Sequence, residues 1–149
     1  MPALRAVMTD LGAPPGGTFS FATGINERGQ VTGSAGTADG ARHAFRWTAS
    51  GGMQDLGTLG GAFSDASGIN ERGQVTGTAD TADRVGHAFR WTASGGMQDL
   101  GTLGGPTSFA TGINERGQVT GYSRTADHVN HAFRWTASGG MQDLGTLAG

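Results

Sequence analysis

The sequence predicts an all-β chain built from three tandem four-stranded units of 44 residues, and three observations carry that prediction. GINERGQVTG stands at Gly24–Gly33, Gly68–Gly77 and Gly112–Gly121, and HAFRWTASGGMQDLGTL begins at His43, His87 and His131, always at a spacing of 44. Glycine is the commonest residue, with 29 copies, which suits many tight turns, and it does not recur every third position as in collagen. No window shows a 3.6-residue apolar period with capping signals at both ends, so helix is not expected.

Counting back from the end, the units are residues 18–61, 62–105 and 106–149 of one structural domain, with residues 1–17 left over. Within those, Met8-Thr9-Asp10-Leu11-Gly12 echoes Met53-Gln54-Asp55-Leu56-Gly57, so residues 1–17 read as a partial unit carrying a last strand.

Each element follows from local chemistry. Ala22–Asn26 is short and extended. Glu27-Arg28-Gly29 turns the chain, with glycine where a bulge requires the left-handed conformation. Gln30–Ala35 is the second strand, and Gly36–Arg42 a polar loop. His43–Thr48 alternates strictly, with His43, Phe45 and Trp47 on one face and Ala44, Arg46 and Thr48 on the other. Ala49-Ser50-Gly51-Gly52 turns the chain into Met53–Leu59, the fourth strand. The expected core is Ile25, Val31, Phe45, Trp47, Leu56 and Leu59 with their equivalents at +44 and +88. Ala44 and Gly33 are small, which permits close approach of covered faces.

Strands of five or six residues with two hairpins and one longer loop per unit match a propeller blade. A self-closed threefold β-trefoil or β-prism fits the same unit length. Propellers close with about 4 to 8 blades, so three units are expected to leave open ends, and two chains to complete six. Met8–Gly12 raises the expected strand count to thirteen, one more than three blades use.

Composition excludes several chemistries. All ten basic residues are arginine, so Schiff-base and phosphate-loop lysines are absent. There is no cysteine, hence no thiol nucleophile, disulfide or thiolate metal site. A net charge of −2 with dispersed arginines gives no basic stripe for nucleic acid. No apolar run reaches the roughly 18 residues of a membrane helix, and Met1–Val7 is too short and too weakly apolar for a signal peptide.

Three sets of residues are candidates for chemistry. His43, His87 and His131 would make a metal ring only if their strands met at an axis, and the simpler reading has each bonding backbone at a strand start. His128 lies close to His131 but the spacing is weak evidence for ligation. Glu27, Asp39 and Asp55 with their equivalents are candidate hydrolytic carboxylates. Glu27 sits in a turn and Asp39 in a loop, and all three recur in every unit, whereas a catalytic site breaks symmetry; Asp55 is expected to accept turn N–H groups or pair with Arg46. Trp47, Trp91 and Trp135 read as core rather than sugar platforms, and Arg46, Arg90 and Arg134 as able to stack on aromatics of the next unit. No residue is therefore assigned to catalysis, a metal or a cofactor.

The units differ in two places. The polar loop reads SAGTADGAR at 34–42, TADTADRVG at 78–86 and YSRTADHVN at 122–130; the junctions read TFSFAT, AFSDAS and PTSFAT. Recognition commonly lives on loops held by a rigid frame, and Tyr122, Arg124 and His128 are the best equipped side chains there.

The His-Ala-Phe triplets, Gly24-Ile25-Asn26 with Gly29-Gln30-Val31, and Asp55 to Gly61 resemble the HAF family, a probable extracellular bacterial repeat. The resemblance covers the chain from residue 8 onward. It implies a β-repeat array at the cell surface or secreted, cut here from a longer series, and no particular activity. The resulting expectation is a non-catalytic binding scaffold without cofactor, contacting protein or glycan through its loops, with self-association, dimeric in the first instance, as the alternative and a propeller-type glycoside hydrolase behind both.

Overall fold

The computed structural model describes residues 7–147. The Met1–Val7 stretch read above therefore lies, but for Val7, outside the described residues. Twelve strands and no helix are found among them: β1 (Ser20–Ile25), β2 (Val31–Gly36), β3 (Arg42–Thr48), β4 (Gly52–Asp55), β5 (Gly60–Ile69), β6 (Val75–Thr81), β7 (Gly86–Thr92), β8 (Gly96–Asp99), β9 (Gly104–Ile113), β10 (Val119–Thr125), β11 (Asn130–Thr136) and β12 (Gly140–Gly145).

Consecutive strands pair antiparallel within β1–β4, β5–β8 and β9–β12, giving three four-stranded meanders. One parallel bridge, Arg42 to Phe63, links the first meander to the second. The sheets are open and do not close on one another, so the self-closed threefold alternative is not what forms.

Local sequence sets the strand ends. At the β1–β2 turn, Asn26 Oδ1 accepts the N–H groups of Arg28 and Gln30 at 3.1 and 3.0 Å, and Gly29 takes a φ of 73°. The aspect of asparagine that matters is its short side-chain carbonyl, which reaches its own turn backbone. The fourth strand stops earlier than expected. Gly57 has a φ of 81° and Gly60 of 114°, so the chain leaves β4 at Asp55 and re-enters as the ten-residue β5, which takes in the junction. Gly33 is required for a different reason from face-to-face stacking. A Cβ there would lie 1.8 Å from the Phe21 carbonyl oxygen, because β1 bulges between Ala22 and Gly24 and presses its backbone onto β2.

Each sheet has two unlike faces. One carries bulky apolar groups, Val75, Phe89 and Trp91 in the second sheet. The other carries small or satisfied ones, such as Ala44 and Thr32 in the first. The bulky face of the second sheet packs on Ala44 and Leu56 of the first, and the bulky face of the third, Val119, Phe133 and Trp135, on Ala88 and Leu100 of the second. Thr32 and Thr76 are fully buried but donate their hydroxyls to the carbonyls of Phe45 and Phe89 at 2.7 Å, so neither hydroxyl is stranded. Ala44 N–H bonds Ser64 Oγ at 2.8 Å, and Ala88 N–H bonds Ser108 Oγ at the same distance. Such bonds need alanine on one side, since a longer side chain would hold the backbones apart.

This arrangement confirms most of the expected core and corrects part of it. Val31, Phe45 and Leu56 are buried, as are Trp91, Trp135 and Leu100, while Trp47, Leu59 and Leu103 are half-buried. Ile25 is 71 % exposed, and Leu144 and Leu147 are 53 % and 96 % exposed. The reason is position in the row. Ile25 points away from the second sheet, and Leu144 sits on the outer face of the third, on which no other sheet packs among the described residues. The Met8–Gly12 segment is not a strand. It lies against the bulky face of the first sheet, where Leu11 packs on Val31, Ala35 and Phe45.

A matched pair of substitutions tests the stacking. Ala88 is fully buried and its equivalent Ala132 is exposed. Ala88→Leu is expected to cost about 1–3 kcal/mol by overpacking, and Ala132→Leu to stay within about 0.5 kcal/mol. Urea denaturation of both variants measures this, and equal losses would contradict the stacking.

Candidate binding rim

The turns that join the second and third strands of each meander line one rim of the molecule. They are built alike. Thr37 N–H bonds Ala41 O, Thr81 N–H bonds Val85 O and Thr125 N–H bonds Val129 O, each at 2.9 Å. The shared Thr-Ala-Asp leads into a fourth residue whose N–H returns to the threonine carbonyl, from Gly40, Arg84 and His128 in turn. That fourth residue is left-handed in every unit, with φ of 85°, 63° and 62°. Glycine adopts this freely. For arginine and histidine it costs of order 1–2 kcal/mol. Two exposed cationic or titratable side chains are thus carried on strained backbone at the tip of the rim, where strain marks candidate function.

The rim differs in character from sheet to sheet. Around the first turn a hollow is lined by Pro14, Pro15, Asp39, His43, Met53 and Asp55. The Asp39 carboxylate accepts the Thr37 hydroxyl and then the Ala41 N–H, and these bonds hold it below its ordinary pKa. Around the second, Phe63, Asp80, Ala82 and Arg84 line another hollow. The third presents Tyr122, 42 % exposed and stacked on Phe109 with ring centroids 5.1 Å apart, beside Arg124 on the same strand. An exposed tyrosine backed by a half-buried phenylalanine is suited to an extended face such as a sugar ring or a peptide plane.

The three repeated histidines do not form a ring. Each bonds a carboxylate of its own sheet: His43 Nδ1 lies 2.9 Å from Asp55 Oδ1, His87 Nδ1 2.9 Å from Asp99 Oδ1 and His131 Nδ1 2.9 Å from Asp143 Oδ1. The expected backbone bond is found for the second ring nitrogen of one of them, His87 Nε2, 3.2 Å from Pro106 O. The same aspartates accept the N–H of Gly57, Gly101 and Gly145 at 2.8, 2.8 and 2.7 Å. His and Asp together therefore lash the end of the fourth strand to the third. Asp55 does accept a turn N–H, but its side-chain partner is His43 and not Arg46. Among the described residues no three His, Asp or Glu side chains gather as a metal set.

Of the remaining candidates, two glutamates, two tryptophans and two arginines have partners across the sheet–sheet contacts. Glu71 Oε1 accepts the Glu27 N–H at 2.8 Å, and Glu115 Oε1 that of Glu71 at 3.0 Å. Trp91 and Trp135 are buried beneath Arg46 and Arg90, whose guanidinium carbons lie 4.7 Å from the ring centroids. Burial, and then the nearby Arg28 and Arg72, pull these two guanidinium groups below their ordinary pKa; they remain cations. Their Nη1 atoms donate to Gly73 O at 3.3 Å and Gly117 O at 3.2 Å. The stacking on the next unit expected from the alternation is thus present at two of the three sites.

Sequence reasoning missed the His–Asp pairs. Their signal was a constant separation of 12 residues in all three units. It also missed the strained fourth residue, which the substitution of Gly40 by Arg84 and His128 within an otherwise shared turn would have disclosed. No family model and no curated protein matches the chain.

Two outcomes follow. Arg84→Gly and His128→Gly should each stabilise the protein by about 1 kcal/mol as the left-handed strain is relieved; a loss of stability on denaturant unfolding would show that the side chains are held by contacts instead. The His131 hydrogen bond, then the Gly145 N–H, lower the pKa of Asp143 below 3.8. A lowered carboxylate pKa adds stability that is present above 3.8 and is lost as pH falls through the folded value. A carboxyl-carbon NMR titration should place the Asp143 midpoint below 3.8, and His131→Ala should raise it.

Proposed function

We propose that the chain is a non-catalytic β-repeat scaffold that binds a protein or glycan ligand at this rim, with its meanders serving as blade-like units of a surface or secreted protein. The observation that carries the reading is where the variation falls. The sheets repeat almost residue for residue, while the side chains that differ fall at the junctions and on the turns between second and third strands together with the strand ends that lead into those turns, which share one backbone form. A frame that holds its shape while its tips change is the arrangement of a recognition surface.

Two further points support it. The repeated carboxylates at Asp55, Asp99 and Asp143 are committed to histidine and backbone partners, and Glu71 and Glu115 to the neighbouring turn. That favours binding over hydrolysis, which needs a pair free to exchange protons. The resemblance to extracellular HAF repeats favours a surface setting.

The third turn is the strongest single station, because Tyr122 and Arg124 on β10 lead into it and His128 sits at its tip. Replacing residues 122–130 by the sequence of 34–42 keeps the turn geometry and removes that chemistry. The test is binding of both forms to a glycan array and to a panel of extracellular-matrix proteins. We expect the parent to bind and the exchanged form to lose at least about tenfold, as for a central anchor of an interface, with unchanged circular dichroism. Retained binding by the exchanged form would remove the reading.

A further inference from the structure

Across the two sheet–sheet interfaces the same bonds are made twice. Asn26 Nδ2 donates to Asn70 O, and Asn70 Nδ2 to Asn114 O, both at 2.9 Å. Thr23 Oγ1 donates to Ala66 O at 2.7 Å, and Ser67 Oγ to Ala110 O at 2.8 Å. The Glu27 and Glu71 N–H groups go to the next glutamate, the Ala44 and Ala88 N–H groups to the next serine, and Arg46 and Arg90 cover the next tryptophan. Each sheet is a donor to the one that follows.

The third sheet carries the donor set again, on an open face. Thr111, Asn114, Ala132, Arg134 and Leu144 are exposed there. The equivalents of Ala132, Ala44 and Ala88, are both 0 % exposed, those of Leu144, Leu56 and Leu100, are 6 and 5 % exposed, and those of Asn114, Asn26 and Asn70, are buried. A hollow on this face is lined by Ile113, Asn114, Gln118, Thr120, Arg134 and Leu144. The first sheet carries the matching acceptor set, also open. Ala22, Ile25 and Gly29 are exposed, where Ala66 and Ala110 are 4 and 5 % exposed and Gly73 and Gly117 are buried.

We propose that the outer face of the third sheet docks on the outer face of the first sheet of a second copy of this chain, head to tail, repeating the internal interface. Arg134 then lies over the partner's Trp47, Asn114 Nδ2 donates to the partner's Asn26 O, and Thr111 Oγ1 donates to the partner's Ala22 O. The contact is heterologous, so it leads to a ring or to an open row of copies.

One segment opposes it. Leu11 and Gly12 already hold, on the first sheet, the place that Leu56 and Gly57 hold on the second. Gly12 O accepts the Ser20 hydroxyl at 2.6 Å, as Gly57 O accepts that of Ser64 at 2.5 Å, and Asp10 Oδ1 accepts the Gly12 N–H at 2.8 Å, as Asp55 does that of Gly57. A docking copy brings its own Leu144 and Gly145 to that position. The Leu11 segment is therefore an internal plug that must be displaced, and it sets how readily the chain associates.

Tyr122 pairs with Ala132 on the docking face, so docking covers part of the third turn. Self-association is read without any ligand, and its failure is therefore distinguishable from failure of the binding reading. Ile25 and Ala132 are exposed, so Ile25→Arg and Ala132→Arg block the first and third faces while leaving the fold intact by circular dichroism. By sedimentation velocity over a dilution series, the parent should exceed 15.1 kDa at high concentration. Leu11→Ser should associate at least about tenfold more tightly. Each arginine variant alone should stay monomeric, and a mixture of the two should give a one-to-one dimer, since Ala132→Arg keeps its first face and Ile25→Arg its third. Monomers for both the parent and Leu11→Ser, an inert mixture, or association of either arginine variant by itself would overturn the docking. Association of the parent unchanged by Leu11→Ser would overturn the plug.

Discussion

Everything in this fold depends on the unlikeness of the two faces of each sheet. Phe89 and Trp91 stand on one face of the second sheet, and Ala44 and Leu56 wait on the first to receive them. Neither face is complete alone. A sheet with bulky groups on both sides would hold its neighbours too far apart for the Ala44–Ser64 bond at 2.8 Å, and one with small groups on both would bury too little apolar area to stand in water. The alternation of His43, Phe45 and Trp47 with Ala44 and Arg46 is the sequence form of this constraint.

The polar groups at the interfaces then fix register. Hydrophobic contact between two flat sheets tolerates sliding, whereas the Asn26–Asn70–Asn114 ladder does not. Asn26 and Asn70 each close their own turn through Oδ1 and reach the next turn through Nδ2. The side chain that shapes the hairpin is therefore also the one that aligns it with the following sheet. Arg46 and Arg90 act likewise, joining a cation–π contact to a bond with the next glycine carbonyl. The rim turns inherit their regular spacing from these contacts.

Much of this was legible beforehand. The 44-residue period, the absence of helix, the face assignments of Phe45 and Trp47 and the stacking of Arg46 on the next aromatic follow from local pattern. What escaped was decided by neighbours. Ile25, Ile69 and Ile113 are the same residue in the same sequence, yet Ile25 alone is largely exposed, because burial here depends on whether another sheet stands in front. Leu56 to Leu59 looks like a continuing strand, but the left-handed Gly57 ends it. His43 and Asp55 could be seen as residue types, while their pairing depends on a strand register that types do not state. The loop differences were visible, and the shared turn beneath them was not.

The ladder of asparagines has a kinetic side. Every long-range bond it makes joins a residue to its equivalent one period away, so the span closed at each step is constant however far the row has grown. A sheet that has formed presents the next stretch of chain with a ready surface and a fixed alignment. Folding in such a chain nucleates at any sheet and spreads to its neighbours, at a rate set by the period and not by total length. Because the middle sheet has a neighbour on each side, it is expected to open last, with amide protection greatest in β6 and β7 and falling toward both ends of the row.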